Sequence, residues 1–128
     1  MSTFRILLVE DEPVIRELVR SLLSEADVEV ECAATGTEGL KLARTQQFDL
    51  ILLDVVLPQL DGVTICRLLK ADAGTARVPL HMVTAKAKKA DVDAALKAGA
   101  DGYIHKPFRG AELMDLVTQL KAKRAAPA

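Results

Sequence analysis

Five short apolar runs, each followed by a stretch with helical spacing, constrain this chain more than any other feature. Phe4 to Val9, Leu50 to Leu53 and Leu80 to Val83 are almost continuously apolar, as expected of strands covered on both faces. Val28-Glu29-Val30-Glu31-Cys32 alternates apolar and polar residues, the pattern of an edge strand with one face in water. A fifth run, Gly102 to His105, follows the turn Gly99-Ala100-Asp101-Gly102. The first helical pattern, Pro13 to Ala26, places Val14, Ile15, Leu18, Val19, Leu22 and Leu23 on one face, with Pro13 suited to the first position. Thr35 to Glu38 has the form of a capping box opening the second helix. Asp61-Gly62 opens a third, with Val63, Ile65, Cys66, Leu68 and Leu69 at helical spacing. The fourth, Lys88 to Ala98, has a weak stripe of Val92, Ala95 and Leu96, so light packing is expected there. The fifth carries Leu113, Leu116, Val117 and Leu120. Strand then helix, five times over, predicts an α/β sandwich of three layers with right-handed crossovers around a parallel sheet.

The 128 residues suffice for one domain, expected over residues 1–122, with 123–128 as a tail or the start of a linker. A net charge of −1 and only 3% aromatic residues argue against direct nucleic-acid binding. No apolar run approaches the ~20 residues of a membrane-spanning helix, and no signal-peptide pattern opens the chain. Cys32 and Cys66 form no ligand motif and read as small buried hydrophobes, so a cytoplasmic address is expected.

Ligands of a parallel α/β sheet bind outside the carboxyl ends of its strands. Those ends carry Glu10-Asp11-Glu12, Asp54, Thr84 and Lys106-Pro107. Carboxylates gathered on one rim repel each other, and a hard divalent ion resolves the conflict. Lys106 adds a charge for a phosphoryl oxygen and Thr84 a hydroxyl, so a carboxylate facing them is equipped to attack phosphorus. Taken singly, Asp11 or Glu12 before Pro13 reads as a helix N-cap. The joint occurrence on one rim favours the chemical reading.

Ile6-Leu7-Leu8-Val9-Glu10-Asp11-Glu12, Leu52-Leu53-Asp54-Val55-Val56-Leu57-Pro58, Asp61-Gly62, Val83-Thr84-Ala85 and the run from Gly99 to Phe108 resemble the receiver domain of two-component response regulators. The resemblance spans roughly residues 4–122 and implies a flavodoxin-like sheet of order 2-1-3-4-5. It further implies that Asp54 takes a phosphoryl group from a histidine kinase, a phosphotransfer protein or a small acyl phosphate. Asp11, Asp54 and the Val56 carbonyl would hold Mg²⁺, with Glu10 acting through a water. Lys106 would pair with the phosphoryl group, while Thr84 and Tyr103 would act as the switch, and a cis bond is expected before Pro107. The face of helix 4, strand 5 and helix 5 would then meet a downstream partner, an output domain or a second copy. Such a domain catalyses only its own phosphorylation and dephosphorylation.

Other residues allow simpler readings. Tyr103 reads equally as a strand aromatic, His81 as a core histidine, and Lys86, Lys88 and Lys89 as a solvated face. His105 stands beside Lys106 and is a candidate to tune it. A phosphorylation-independent scaffold of the same fold is the alternative function. A dehalogenase-type phosphatase wants a second acid where Val56 stands, and a flavin phosphate would be repelled by the acidic rim. The cognate kinase, the output and the phosphoryl lifetime, on which Val56 and Lys86 bear, are not written in the sequence.

Overall fold

A computed structural model describes residues 3–24, 27–84, 89–106 and 109–125. Strands and helices alternate as β1 (Phe4–Val9), α1 (Pro13–Leu23), β2 (Val28–Ala33), α2 (Gly36–Thr45), β3 (Leu50–Asp54), α3 (Gly62–Ala71), β4 (Leu80–Thr84), α4 (Lys89–Lys97), β5 (Gly102–His105) and α5 (Gly110–Ala125). Every strand pair is parallel, in the order β2-β1-β3-β4-β5. The order reverses at β1, which pairs with both β2 and β3. The loops after β1 and β3 therefore leave in opposite directions and open a crevice between them.

The apolar runs became strands because both faces of the sheet are covered. Leu7, Val9, Ile51, Leu53 and Met82 pack towards α2 and α3, while Phe4, Ile6, Leu8, Leu52 and Val83 pack towards α1 and α5. Each such side chain, fully buried, contributes about 1.5–3 kcal/mol. Expectation and structure part at several places. Val14 is 77% exposed, because it lies at the edge of the α1 stripe in its first turn. Leu68 is exposed on α3, whose buried face is Gly62, Ile65, Cys66 and Leu69. Helix α1 ends at Leu23 rather than Ala26. Helix α5 runs to Ala125. Lys and Ala there are good helix formers, and Arg124 is anchored on Asp49 at 3.0 Å. Helix α4 is lightly held, with Ala95 the fully buried residue among its described side chains.

Two caps fix helix starts. Thr35 Oγ1 accepts from the Glu38 amide at 3.2 Å, and Asp61 Oδ1 from the Thr64 amide at 2.9 Å. At the opposite end of α3, Lys70 Nζ donates to the Ala76 and Val78 carbonyls at 3.2 and 2.9 Å and to Asp101 Oδ2 at 3.1 Å. The same oxygen accepts from the Leu80 amide at 2.8 Å, so one ion pair ties α3, the start of β4 and the turn before β5.

Burial alone would raise the Asp101 pKa, but the Leu80 amide and Lys70 hold it below the ordinary aspartate value. A depressed folded pKa means stability that is present above the unfolded value and lost as pH falls through the folded one. Asp101→Ala is predicted to lower stability by about 1–2 kcal/mol at neutral pH in urea unfolding. The gap to wild type should close on acidification below the ordinary aspartate range; a gap that persists there would contradict this account.

Candidate functional site

Three charged groups from three strand ends meet in the crevice. Glu10, just past β1, is fully buried, and Asp54, the last residue of β3, is 6% exposed. The side chain of Lys106, just past β5, is 8% exposed. Its Nζ donates to Asp54 Oδ2 at 2.9 Å and stands 2.7 Å from Glu10 Oε2. The second contact is ionic rather than a well-aligned hydrogen bond, since Oε2 has no aligned donor among the described residues.

Backbone contacts position each group. The Glu10 amide donates to the Ala33 carbonyl at 2.9 Å, and the Glu10 carbonyl accepts from Arg16 Nη1 at 2.8 Å. Glu10 Oε1 accepts from the Glu12 amide at 3.3 Å. Asp54 Oδ1 accepts from the Val56 amide at 3.1 Å, which turns the loop back over the strand end. The Gly62 amide donates to the Val55 carbonyl at 3.0 Å. A Cβ at Gly62 would collide with the Asp54 carbonyl oxygen, so glycine is required for α3 to start this close.

Burial pushes the Glu10 carboxyl up to about 7; Lys106 opposes this and the Asp54 charge adds to it. Burial alone would lower Lys106, yet the neighbouring Glu10 and Asp54 carboxylates carry it above the ordinary lysine value. One ammonium thus neutralises one of two buried carboxylates. The acidic loop adds more negative charge, because carboxylate oxygens of Glu10, Asp11 and Glu12 lie within 4.8 Å of one another. Glu12 occupies the N-cap position of α1 but makes no side-chain cap bond, so capping does not explain it. Hard oxygen donors around a buried acid of raised pKa fit a hard divalent cation such as magnesium or calcium.

Of the residues singled out in the sequence, Glu10, Asp54 and Lys106 are brought into direct contact, and Asp11 joins through the acidic loop. Val56 is 77% exposed, with its amide on Asp54. Thr84 ends β4, in register with His105, but its side chain is outside the described residues, as are Lys86, Lys88 and Pro107. Tyr103 is 44% exposed, its ring edge-on to that of His105 at 5.3 Å. His81 is half-buried, and burial lowers its pKa. One contributor went unremarked in the sequence: Arg16, which holds the Glu10 carbonyl. The available signal was a cation in the first turn of α1, directly after an acidic triplet.

The sequence matches the response regulator receiver domain family over residues 6–118. It is 38% identical over 97% of its length to the DNA-binding response regulator MtrA of Mycolicibacterium smegmatis, of which it spans 54%. It is 40% identical to the transcriptional regulator RpaA of Synechocystis, covering 91% of this chain and 48% of that protein. The chain thus spans about half the length of these curated relatives. Among solved structures, the receiver domain of the sensor histidine kinase PA1611 from Pseudomonas aeruginosa superposes with a TM-score of 0.85 at 35% identity. That match covers 93% of this chain and 98% of the other, whose active-site cleft holds a magnesium ion. A response regulator from Chloroflexus aurantiacus gives 0.88 at 32% identity over 94% and 99% of the two chains.

An acid whose folded pKa is raised contributes stability that is full below its unfolded pKa and lost as pH rises through the folded one. With Glu10 moving from 4.5 to about 7, wild type in chelator is predicted to lose up to about 3 kcal/mol between those limits. Glu10→Gln should flatten that slope in urea unfolding measured across the same interval. An unchanged slope would assign the titration to another group.

Proposed function

The chain belongs to the response regulator receiver domain family, and from that premise we propose that it is the receiving switch of a two-component phosphorelay, with Asp54 as the phosphoryl acceptor. The observation that carries the reading is the short contact of Lys106 with both Asp54 and Glu10. It supports a strand-end carboxylate that is buried, oriented and provided with a cation beside the position an incoming phosphoryl group would take.

An Asp54 oxygen forms the bond to phosphorus while the bond from phosphorus to a donor histidine nitrogen breaks, its electron pair leaving with the nitrogen. Lys106 pairs with a phosphoryl oxygen, a charge-assisted bond worth about 1.5–3 kcal/mol. The magnesium ion would be held by Asp11, Asp54 and the Val56 carbonyl with Glu10 behind them, and when bound it supplies positive charge to the phosphoryl oxygens. Arg16 and the Val56 amide hold the acidic loop and Asp54 in place meanwhile. The Thr84 hydroxyl is assigned to a further phosphoryl oxygen. Water later attacks phosphorus and releases inorganic phosphate, so the domain acts on itself and turns over no separate metabolite.

On this reading the donor is a cytoplasmic histidine kinase or phosphotransfer protein, and the surface that changes is the face of α4, β5 and α5, including Tyr103. Its reader is a downstream protein, an output domain or a second copy. No helix among the described residues is long and apolar enough to cross a membrane.

Incubation with acetyl phosphate and magnesium is predicted to place acid-labile phosphate on wild type. Asp54→Ala should incorporate less by about tenfold or more, and chelation should abolish incorporation. Equal labelling of Asp54→Ala and wild type would refute the assignment.

A further inference from the structure

The opposite pole of the sheet holds a second cleft, of about 350 Å³, between the starts of β1, β3 and β4 and the last turn of α5. Its position follows from the topology: α5 runs back along the sheet, so its C-terminal turn lies over the strands' amino ends. The rise along β1 alone puts this cleft roughly 16 Å from the acidic rim.

The floor is apolar, formed by Phe4, Phe48, Pro79 and Leu120, and the rim is cationic, with Arg77, Lys123 and Arg124 against the single carboxylate of Asp49. That carboxylate is already engaged. Asp49 Oδ2 accepts from Arg124 Nη1 at 3.0 Å and from the Arg5 amide at 2.8 Å, while the Arg124 guanidinium lies over the Phe4 ring at 5.2 Å. Arg77 and Lys123 come from different elements and, among the described residues that line the cleft, have no carboxylate of their own. Lys123 complements the carbonyl end of α5, but Arg77, in the connection before β4, has no helix end to serve. Among the described residues that line the cleft, three cations face one acid, on a chain whose net charge is −1.

We propose that this cleft binds a small anion with a compact apolar body, its carboxylate or phosphate between Arg77 and Lys123 and its body on Phe4, Phe48 and Leu120. The volume lies within the range of ligand clefts, which are largely apolar with a few placed polar groups. The anionic head complements the rim, where the exposed Arg77 and Lys123 stand beside the apolar floor. A neutral apolar ligand leaves the two cations unanswered, and a bare anion leaves the apolar floor wet.

The test is an amide-resolved NMR titration of the full chain with three probes: 1-naphthoate, its neutral amide and inorganic phosphate. Naphthoate should shift Phe4, Phe48, Val78 and Leu120 saturably, with a Kd on the order of 1 mM or below. Both other probes should bind about tenfold more weakly, as should naphthoate to the double variant R77E/K123E. Acetyl phosphate labelling of that variant should equal wild type, which shows that it is folded. Shifts mapping elsewhere, equal binding of the amide or of phosphate, or undiminished binding to the labelled variant would each overturn the proposal. Should the double variant fail to take up phosphate, Arg77→Gln alone supplies the same comparison.

Discussion

One ammonium group lies between two buried carboxylates, and the site is organised around it. In the sheet order β2-β1-β3-β4-β5, the strand that delivers Lys106 is separated from the strand that delivers Glu10 by two others. At about 4.8 Å per strand that is a lateral offset near 14 Å, bridged by the reach of the lysine side chain and the short segment beyond β5. The triad therefore ties an edge strand to the middle of the sheet. It is also unbalanced. One positive charge answers two negative ones, with Asp11 and Glu12 adding to the deficit, while burial, helped by the Asp54 charge, makes Glu10 a weak acid. A hard divalent cation offers the other resolution, so protonation of Glu10 and metal binding compete for the same imbalance.

Asp54 itself is placed by local structure. Its carboxylate is turned by the Val56 amide, and the loop that follows makes a tight turn at Gln59, whose φ of 72° is in the left-handed region. There the Leu60 amide bonds back to the Pro58 carbonyl at 2.8 Å. Such turns are rare and strained, and they persist where the surroundings enforce them. Asp61 then caps α3 through Thr64, and Gly62 lets the helix begin against the backbone of Asp54. Turn, cap and glycine together give a rigid mount for a single carboxylate.

Much of this was legible beforehand, for identifiable reasons. Phe4–Val9 was read to the residue because an apolar run that starts and ends abruptly fixes its own boundaries, and Gly102–His105 because the turn from Gly99 precedes it. The rim was legible because topology sends every strand's carboxyl end to one side. Less legible was whatever depends on how far a helix continues, or on which edge of its stripe meets the sheet. How far α5 runs is not written locally, because Lys121 to Ala125 carry no apolar period; an ion pair to Asp49 and a guanidinium over Phe4 hold its last turn, and both partners are far away in sequence. Val14 and Leu68 read as core because helical spacing alone does not say where the apolar arc stops. Arg16 was invisible as a site residue because its partner is a backbone carbonyl, which every residue has.

The arithmetic of switching says where the response must lie if Asp54 is esterified. Phosphorylation adds up to about two negative charges to a rim that is already anionic. Moving a two-state element from 1:99 to 99:1 takes about 5.5 kcal/mol of differential binding. The bond from Lys106 to a phosphoryl oxygen supplies about 1.5–3 kcal/mol, and Lys106 must leave its carboxylate partners to form it. The remainder has to come from elements that are inexpensive to rearrange. The described structure offers two: α4, with Ala95 as its fully buried described side chain, and β5, a four-residue edge strand that ends at His105, just before Lys106, and carries a half-exposed Tyr103. Both flank the strand whose last residue is Thr84. A charge change at Asp54 is thus felt first by the parts of the fold with the least buried surface, while the β1–β3 centre stays fixed.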